Sequence, residues 1–137
     1  MTVKQWLNRG YRINNEIDEL IKEQKQALLQ ATSTALNGGE VEKVQSSNGN
    51  TSERRFVNYV AYSETIDKRI DELYAVKNEI LTAINTVADN TLRELLILRY
   101  IKFYTWEEIA VKMGYTFQWA HVLHKRALQN IEKILNS

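Results

Sequence analysis

Residues 105–119 read Thr105-Trp106-Glu107-Glu108-Ile109-Ala110-Val111-Lys112-Met113-Gly114-Tyr115-Thr116-Phe117-Gln118-Trp119. Thr105 and Glu108 have the spacing of a capping box, in which a threonine hydroxyl and a glutamate carboxylate each take one orphan amide of a helix start. The short helix they open ends at Gly114, where a left-handed residue closes a helix without steric cost. Thr116 then caps a longer helix that runs from Phe117 to about Leu135. A capped short helix, a glycine turn and a capped longer helix have the sequence form of a helix-turn-helix. A generic helical corner has the same form, and spacing alone does not separate the two.

The last helix supplies a test. At about 100° per residue, Ala120, Leu123, Ala127, Ile131 and Ile134 share one side and make a core face. Gln118, His121, Val122, Lys125 and Gln129 share the other. No acid occurs between Glu108 and Glu132, while Lys112, Lys125 and Arg126 do. An amide, an imidazole, an ammonium and an aliphatic group can together hydrogen-bond base edges, neutralise phosphate and touch a thymine methyl. An ordinary solvated face would be more uniformly polar than one carrying Val122 and Trp119.

Upstream, Thr91-Leu92-Arg93-Glu94 has the form of another capping box, opening a helix to about Lys102. Further back lie two long amphipathic stretches. The first, about Thr2 to Thr32, carries Trp6, Gly10, Ile13, Ile17, Leu20, Gln24, Ala27 and Ala31 at alternating steps of four and three, a heptad seam. Gly10 lowers helix propensity, so the first turns fray there or a neighbour packs closely. The second, from Ser52 or Glu53 to about Ala88, repeats the spacing with Phe56, Tyr59, Ser63, Ile66, Ile70, Leu73, Lys77, Ile80, Ile84 and Val87. Residues 33–52, with Asn37-Gly38-Gly39 and Ser46-Ser47-Asn48-Gly49-Asn50, have linker composition and predict a mobile loop. Two such helices joined by a loop predict a long antiparallel, coiled-coil-like hairpin over 1–88, followed by the helix-turn-helix over 89–137. The fold class is all-α. A narrow seam on so long a pair favours self-association, a dimer first, through Ile13, Ile17, Leu20, Ile66, Ile70, Leu73, Ile80 and Ile84. Gln24 and Lys77 would set its register.

Composition agrees. The 137 residues include no proline and only five glycines, too few for the many turns of an all-β fold. No cysteine is present, which excludes disulfides and thiolate metal sites and suits a reducing cytoplasm. The longest aliphatic run, Leu95 to Leu98, is far short of a membrane span, and the first ten residues have no signal-peptide character. With 18 basic and 17 acidic residues the net charge is +1, so any nucleic-acid binding depends on one local face. No phosphate loop, nucleophile elbow or histidine-paired nucleophile is present, so the chain does not read as an enzyme, and no cofactor is expected. Glu107 and Glu108 belong to a helix start, which favours anions. His121 and His124 are three apart, but no nearby carboxylate or cysteine completes a metal site. Trp6, Trp106 and Trp119 read as core or interface anchors, with Trp119 also open to a functional role.

Thr105 to Ala110, Gly114-Tyr115-Thr116 and Lys125-Arg126-Ala127-Leu128 resemble the helix-turn-helix of the promoter-reading fourth region of bacterial sigma factors. The whole chain resembles small phage and prophage proteins of Gram-positive bacteria that pair a coiled N-terminal half with a sigma-like C-terminus. The features in common are Leu7 to Arg12, Leu95 to Tyr100, Thr105-Trp106-Glu107, Met113-Gly114-Tyr115 and Leu123-His124. The resemblance implies a phage transcriptional regulator, an activator of late or packaging genes, acting on double-stranded DNA in the cytoplasm of a bacterial host. Where sigma factors carry arginine and glutamate at several base-reading positions, this chain has Phe117, Gln118, Trp119, Ala120, His121 and Val122. The DNA-binding residues expected are therefore Thr116, Phe117, Gln118, Trp119, His121, Val122, Lys125 and Arg126. Two alternatives stand beside this reading. One is a protein-interaction module whose sigma-like head engages host RNA polymerase, a repressor or an anti-sigma partner. The other is a phage packaging adaptor.

Overall fold

A computed structural model describes the backbone of residues 1–36 and 45–137 and the side chains of 1–30 and 51–137. Among the described residues there is no strand. The helices are α1 (Val3–Leu7), α2 (Arg9–Leu36), α3 (Gln45–Asn85), α4 (Asn90–Leu96), a π turn (Ile97–Ile101), α5 (Trp106–Met113) and α6 (Phe117–Leu135). The helices on either side of the glycine-rich segment reach further into it than its composition predicts. The centre of the loop expected at 33–52, residues 37–44, lies outside the described residues. No helix among the described residues is long and apolar enough to cross a membrane.

The chain divides into two compact units, Met1–Ile13 with Leu73–Ser137, and Asn14–Glu72. The heptad spacing placed the division near residue 88 instead. The reason for the difference is the core of the first unit. Leu7 of α1 and Ile80, Ile84 and Val87 near the end of α3 belong to the same buried cluster as Leu92, Leu95, Leu96, Leu98, Tyr100, Ile109, Leu123, Ala127 and Ile131. Both ends of the long helical region therefore complete the C-terminal core rather than standing apart from it.

In the second unit the seam positions of α2 and α3 face each other. Ile17 and Ile66 are buried, and Leu20 and Ile70 half-buried. Gln24 Nε2 donates to Ser63 Oγ at 2.7 Å, and the Ser63 hydroxyl donates to the Tyr59 carbonyl at 3.1 Å. Arg69 pairs with Glu16 at 3.2 Å and with Glu72 at 2.7 Å. The Gln24–Ser63 bond thus joins two seam positions that lack apolar side chains, as a register-setting pair requires. Phe56, by contrast, is exposed, together with Val57 and Val60. In the first unit, Ile13, Leu73, Ile80 and Ile84 are buried. The aliphatic seam residues expected to join copies of the chain are buried or half-buried within one chain.

Two local details differ from the sequence expectations and one follows them. The N-terminal helix is divided at Asn8, after a capping box of Thr2 and Gln5. Gly10 lies inside α2 with a neighbour packed closely on it, as expected: a Cβ there would meet the Phe103 ring at 3.6 Å, an ordinary contact distance. Helix α4 is capped by Asp89, not by Thr91. Asp89 Oδ1 accepts the amides of Thr91 at 2.8 Å and Leu92 at 3.1 Å. Arg93 fixes this junction from the other side by donating to the Val87 carbonyl at 2.9 Å, and buried Val87 ends the turn that follows α3.

Candidate nucleic-acid interface

The caps and the glycine turn within 105–119 form as the sequence predicts. Thr105 Oγ1 accepts the Glu108 amide and Glu108 Oε1 accepts the Thr105 amide, both at 3.2 Å. Gly114 is left-handed, with φ 73° and ψ 31°. The Tyr115 amide donates to the Ala110 carbonyl at 2.9 Å, so the end of α5 is closed by a six-to-one bond. Thr116 Oγ1 accepts the Trp119 amide at 3.1 Å and starts α6. Ile109 and Ala110 of α5, and Ala120, Leu123, Ala127 and Ile131 of α6, are buried.

The eight residues expected to meet DNA fall into three groups. Gln118, Val122 and Lys125 are exposed and share the middle of the outward face with Gln129. Trp119 and Arg126 flank that strip, with the Arg126 guanidinium 5.2 Å from the Trp119 ring centre. Phe117 and His121 flank it on the other side, and Thr116 is occupied with its capping bond. Phe117, Trp119 and Val122 are 43%, 41% and 42% exposed. His121 departs most from expectation. Its ring lies 4.6 Å from Trp106 and 4.5 Å from Phe117, half-buried between aromatic neighbours rather than free in the outward strip.

His124 is buried, and sequence reading gave it no place in the core. It shares a hydrogen bond of 2.6 Å between its Nε2 and the Tyr100 hydroxyl. Burial is the main cause that pushes its pKa down to about 4, with the charges of Lys4, Arg99 and His121 acting in the same direction. Burial also raises the Tyr100 phenol to about 12, against the opposing effect of Arg99. Both partners are therefore neutral at neutral pH. The Trp106 ring sits 4.5 Å from His124, and the Arg99 guanidinium lies 4.9 Å from Trp106. This cluster ties the π turn to the starts of α5 and α6. A signal for His124 was present: it falls on the Ala120, Ala127 and Ile131 side of the helical wheel. Among the described residues, no three histidine, aspartate or glutamate side chains gather to hold an ion.

The π turn had no sequence signal. The Lys102 amide bonds to the Ile97 carbonyl at 3.0 Å, and the Tyr104 amide to the Leu98 carbonyl at 2.9 Å. Phe103 between them is left-handed at φ 61°. A non-glycine residue holds that conformation only when its surroundings fix it. Here the Phe103 ring packs on Gly10, meets the edge of Tyr11 at 5.8 Å and lies under Lys77 Nζ at 4.7 Å.

In comparisons with known proteins, the chain matches no family model, no curated protein and no solved structure.

Proposed function

We propose that this chain is a DNA-binding transcriptional regulator of the phage or prophage type that its sequence resembles. In this reading a long antiparallel helical hairpin carries a helix-turn-helix formed by α5 and α6, and α6 enters the major groove of double-stranded DNA in the bacterial cytoplasm. The observation that carries the reading is the outward face of α6. It begins at a well-capped helix start, carries no acid before Glu132, and presents Gln118, Val122, Lys125 and Arg126 to solvent. The early residues of such a helix meet base edges and its later cations meet phosphate. His121, held between Trp106 and Phe117, orients the helix start instead of reading a base. A dimer matches a two-fold operator. Phe56, Val57 and Val60 of α3 are among the exposed apolar residues available to it.

The test is a salt series of binding isotherms on duplex DNA. Lys125→Ala and Arg126→Ala should each weaken binding to all sequences about equally and reduce the salt slope by about one. The exposed Phe117 and Trp119 favour one competing reading, a protein-binding face that engages host RNA polymerase or a repressor. Silence of both cation variants, with loss of activity in Phe117→Ala or Trp119→Ala, would put that reading first.

A further inference from the structure

The strip at the centre of the outward face of α6 has an unusual order. Gln118 and Val122 are four residues apart on the same side of the helix, both exposed, near its start. A helix advances about 6 Å over four residues, close to two base-pair steps. Arginine is the side chain best suited to a two-bond contact with guanine. The arginine here, Arg126, lies over Trp119 at the flank of the strip. The part of the centre nearest the helix start holds the Gln118 amide, which offers both donor and acceptor, and the branched aliphatic Val122, with Lys125 and Gln129 further along. An amide of this kind pairs with adenine N6 and N7, and an aliphatic group packs on the thymine methyl.

Resting on the DNA-binding reading above, we infer that this face selects A·T pairs: Gln118 meets an adenine, and Val122 meets a thymine methyl within two base pairs of it. Val122 is then a specificity-determining residue rather than an incidental exposed side chain. The first part of this face, with Lys125 and no acid before Glu132, suits a polyanion.

Two nucleotide replacements test this atom by atom. Deoxyuridine lacks only the thymine methyl, and 7-deazadeoxyadenosine lacks only the adenine N7 acceptor. Both keep Watson–Crick pairing. A random duplex pool is enriched on the tagged full-length chain at moderate salt, then remade with either replacement throughout. Loss of the methyl contact should weaken binding about fourfold. Loss of N7 should weaken it about tenfold. The uridine effect should vanish in Val122→Ala, and the deaza effect in Gln118→Ala. Because the replacements are made in the DNA, the wild-type chain alone decides the matter even where a variant folds poorly. An enriched pool indifferent to both replacements overturns the A·T assignment and leaves the DNA-binding reading standing. A pool that shows no enrichment at all overturns both.

Discussion

At the scale of single residues, the pair Tyr100–His124 makes a prediction about acid. The imidazole is held near pKa 4 in the folded chain against an ordinary value near 6.5. Above 6.5 it is neutral whether folded or unfolded and contributes no pH dependence. Between 6.5 and 4 the unfolded chain takes up a proton that the folded chain refuses, so stability falls as pH falls, by up to about 3 kcal/mol. Below 4 the loss from this group is complete. Urea unfolding from pH 4 to 7 should therefore be steeper in pH for the wild type than for Tyr100→Phe/His124→Leu, which removes both polar atoms together. Other titrating groups are common to both proteins and cancel in the difference. Equal slopes would show that His124 is not buried in its neutral form. Gly10 gives a second prediction. An added Cβ meets Phe103 at ordinary van der Waals distance, so Gly10→Ala fits, and it should raise stability by about 0.5–1 kcal/mol through helix propensity. A lowered melting temperature would mean that Phe103 cannot accommodate the methyl group.

At the scale of elements, the caps divide into those that local sequence determines and those that it does not. Thr105, Glu108, Gly114 and Thr116 were legible because each bond joins residues three to five positions apart, so residue type and spacing carry the information. Asp89 and Thr91 are both good caps. The choice between them depends on the burial of Val87 and the reach of Arg93, which a local pattern does not encode. The π turn was illegible for a stronger reason. Its extra residue and left-handed Phe103 are held by Gly10, Tyr11 and Lys77, more than twenty positions away in sequence. The exposed face of α6 was legible as a periodic pattern, but the withdrawal of His121 into an aromatic stack required Trp106, which lies on another helix. The glycine turn makes its own prediction. No atom lies within 4 Å of a Cβ placed on Gly114, so Gly114→Ala meets no clash and should cost only the left-handed backbone penalty, about 1 kcal/mol. Gly114→Asn should cost less, since asparagine tolerates that region. Chemical denaturation of both variants checks the order, and an alanine variant as stable as wild type would contradict it.

At the scale of the whole molecule, the division of the chain into units has a consequence for mutations that sit far from α6 in sequence. The heptad spacing and the capping signals separate 1–88 from 89–137, and on that division a charge in α3 would leave the C-terminal helices intact. The buried cluster says otherwise. Ile80 is fully buried beside Ile84, Leu95 and Leu96, whereas Ile66 belongs to the other unit. Ile80→Glu places an unpaired carboxylate in that cluster at a cost of several kcal/mol. It should strip hydrogen-exchange protection from residues 91–131, and with it any DNA binding by α6. Ile66→Glu introduces the same charge into the same helix, but into the seam of the Asn14–Glu72 unit. It should lower protection there while residues 91–131 stay close to wild type. The pair is matched in residue type and helix, so a difference between them reports the unit boundary rather than the chemistry of the substitution. Equal loss over 91–131 in both variants would mean that the two units unfold together, and protection retained there in Ile80→Glu would restore the boundary near residue 88.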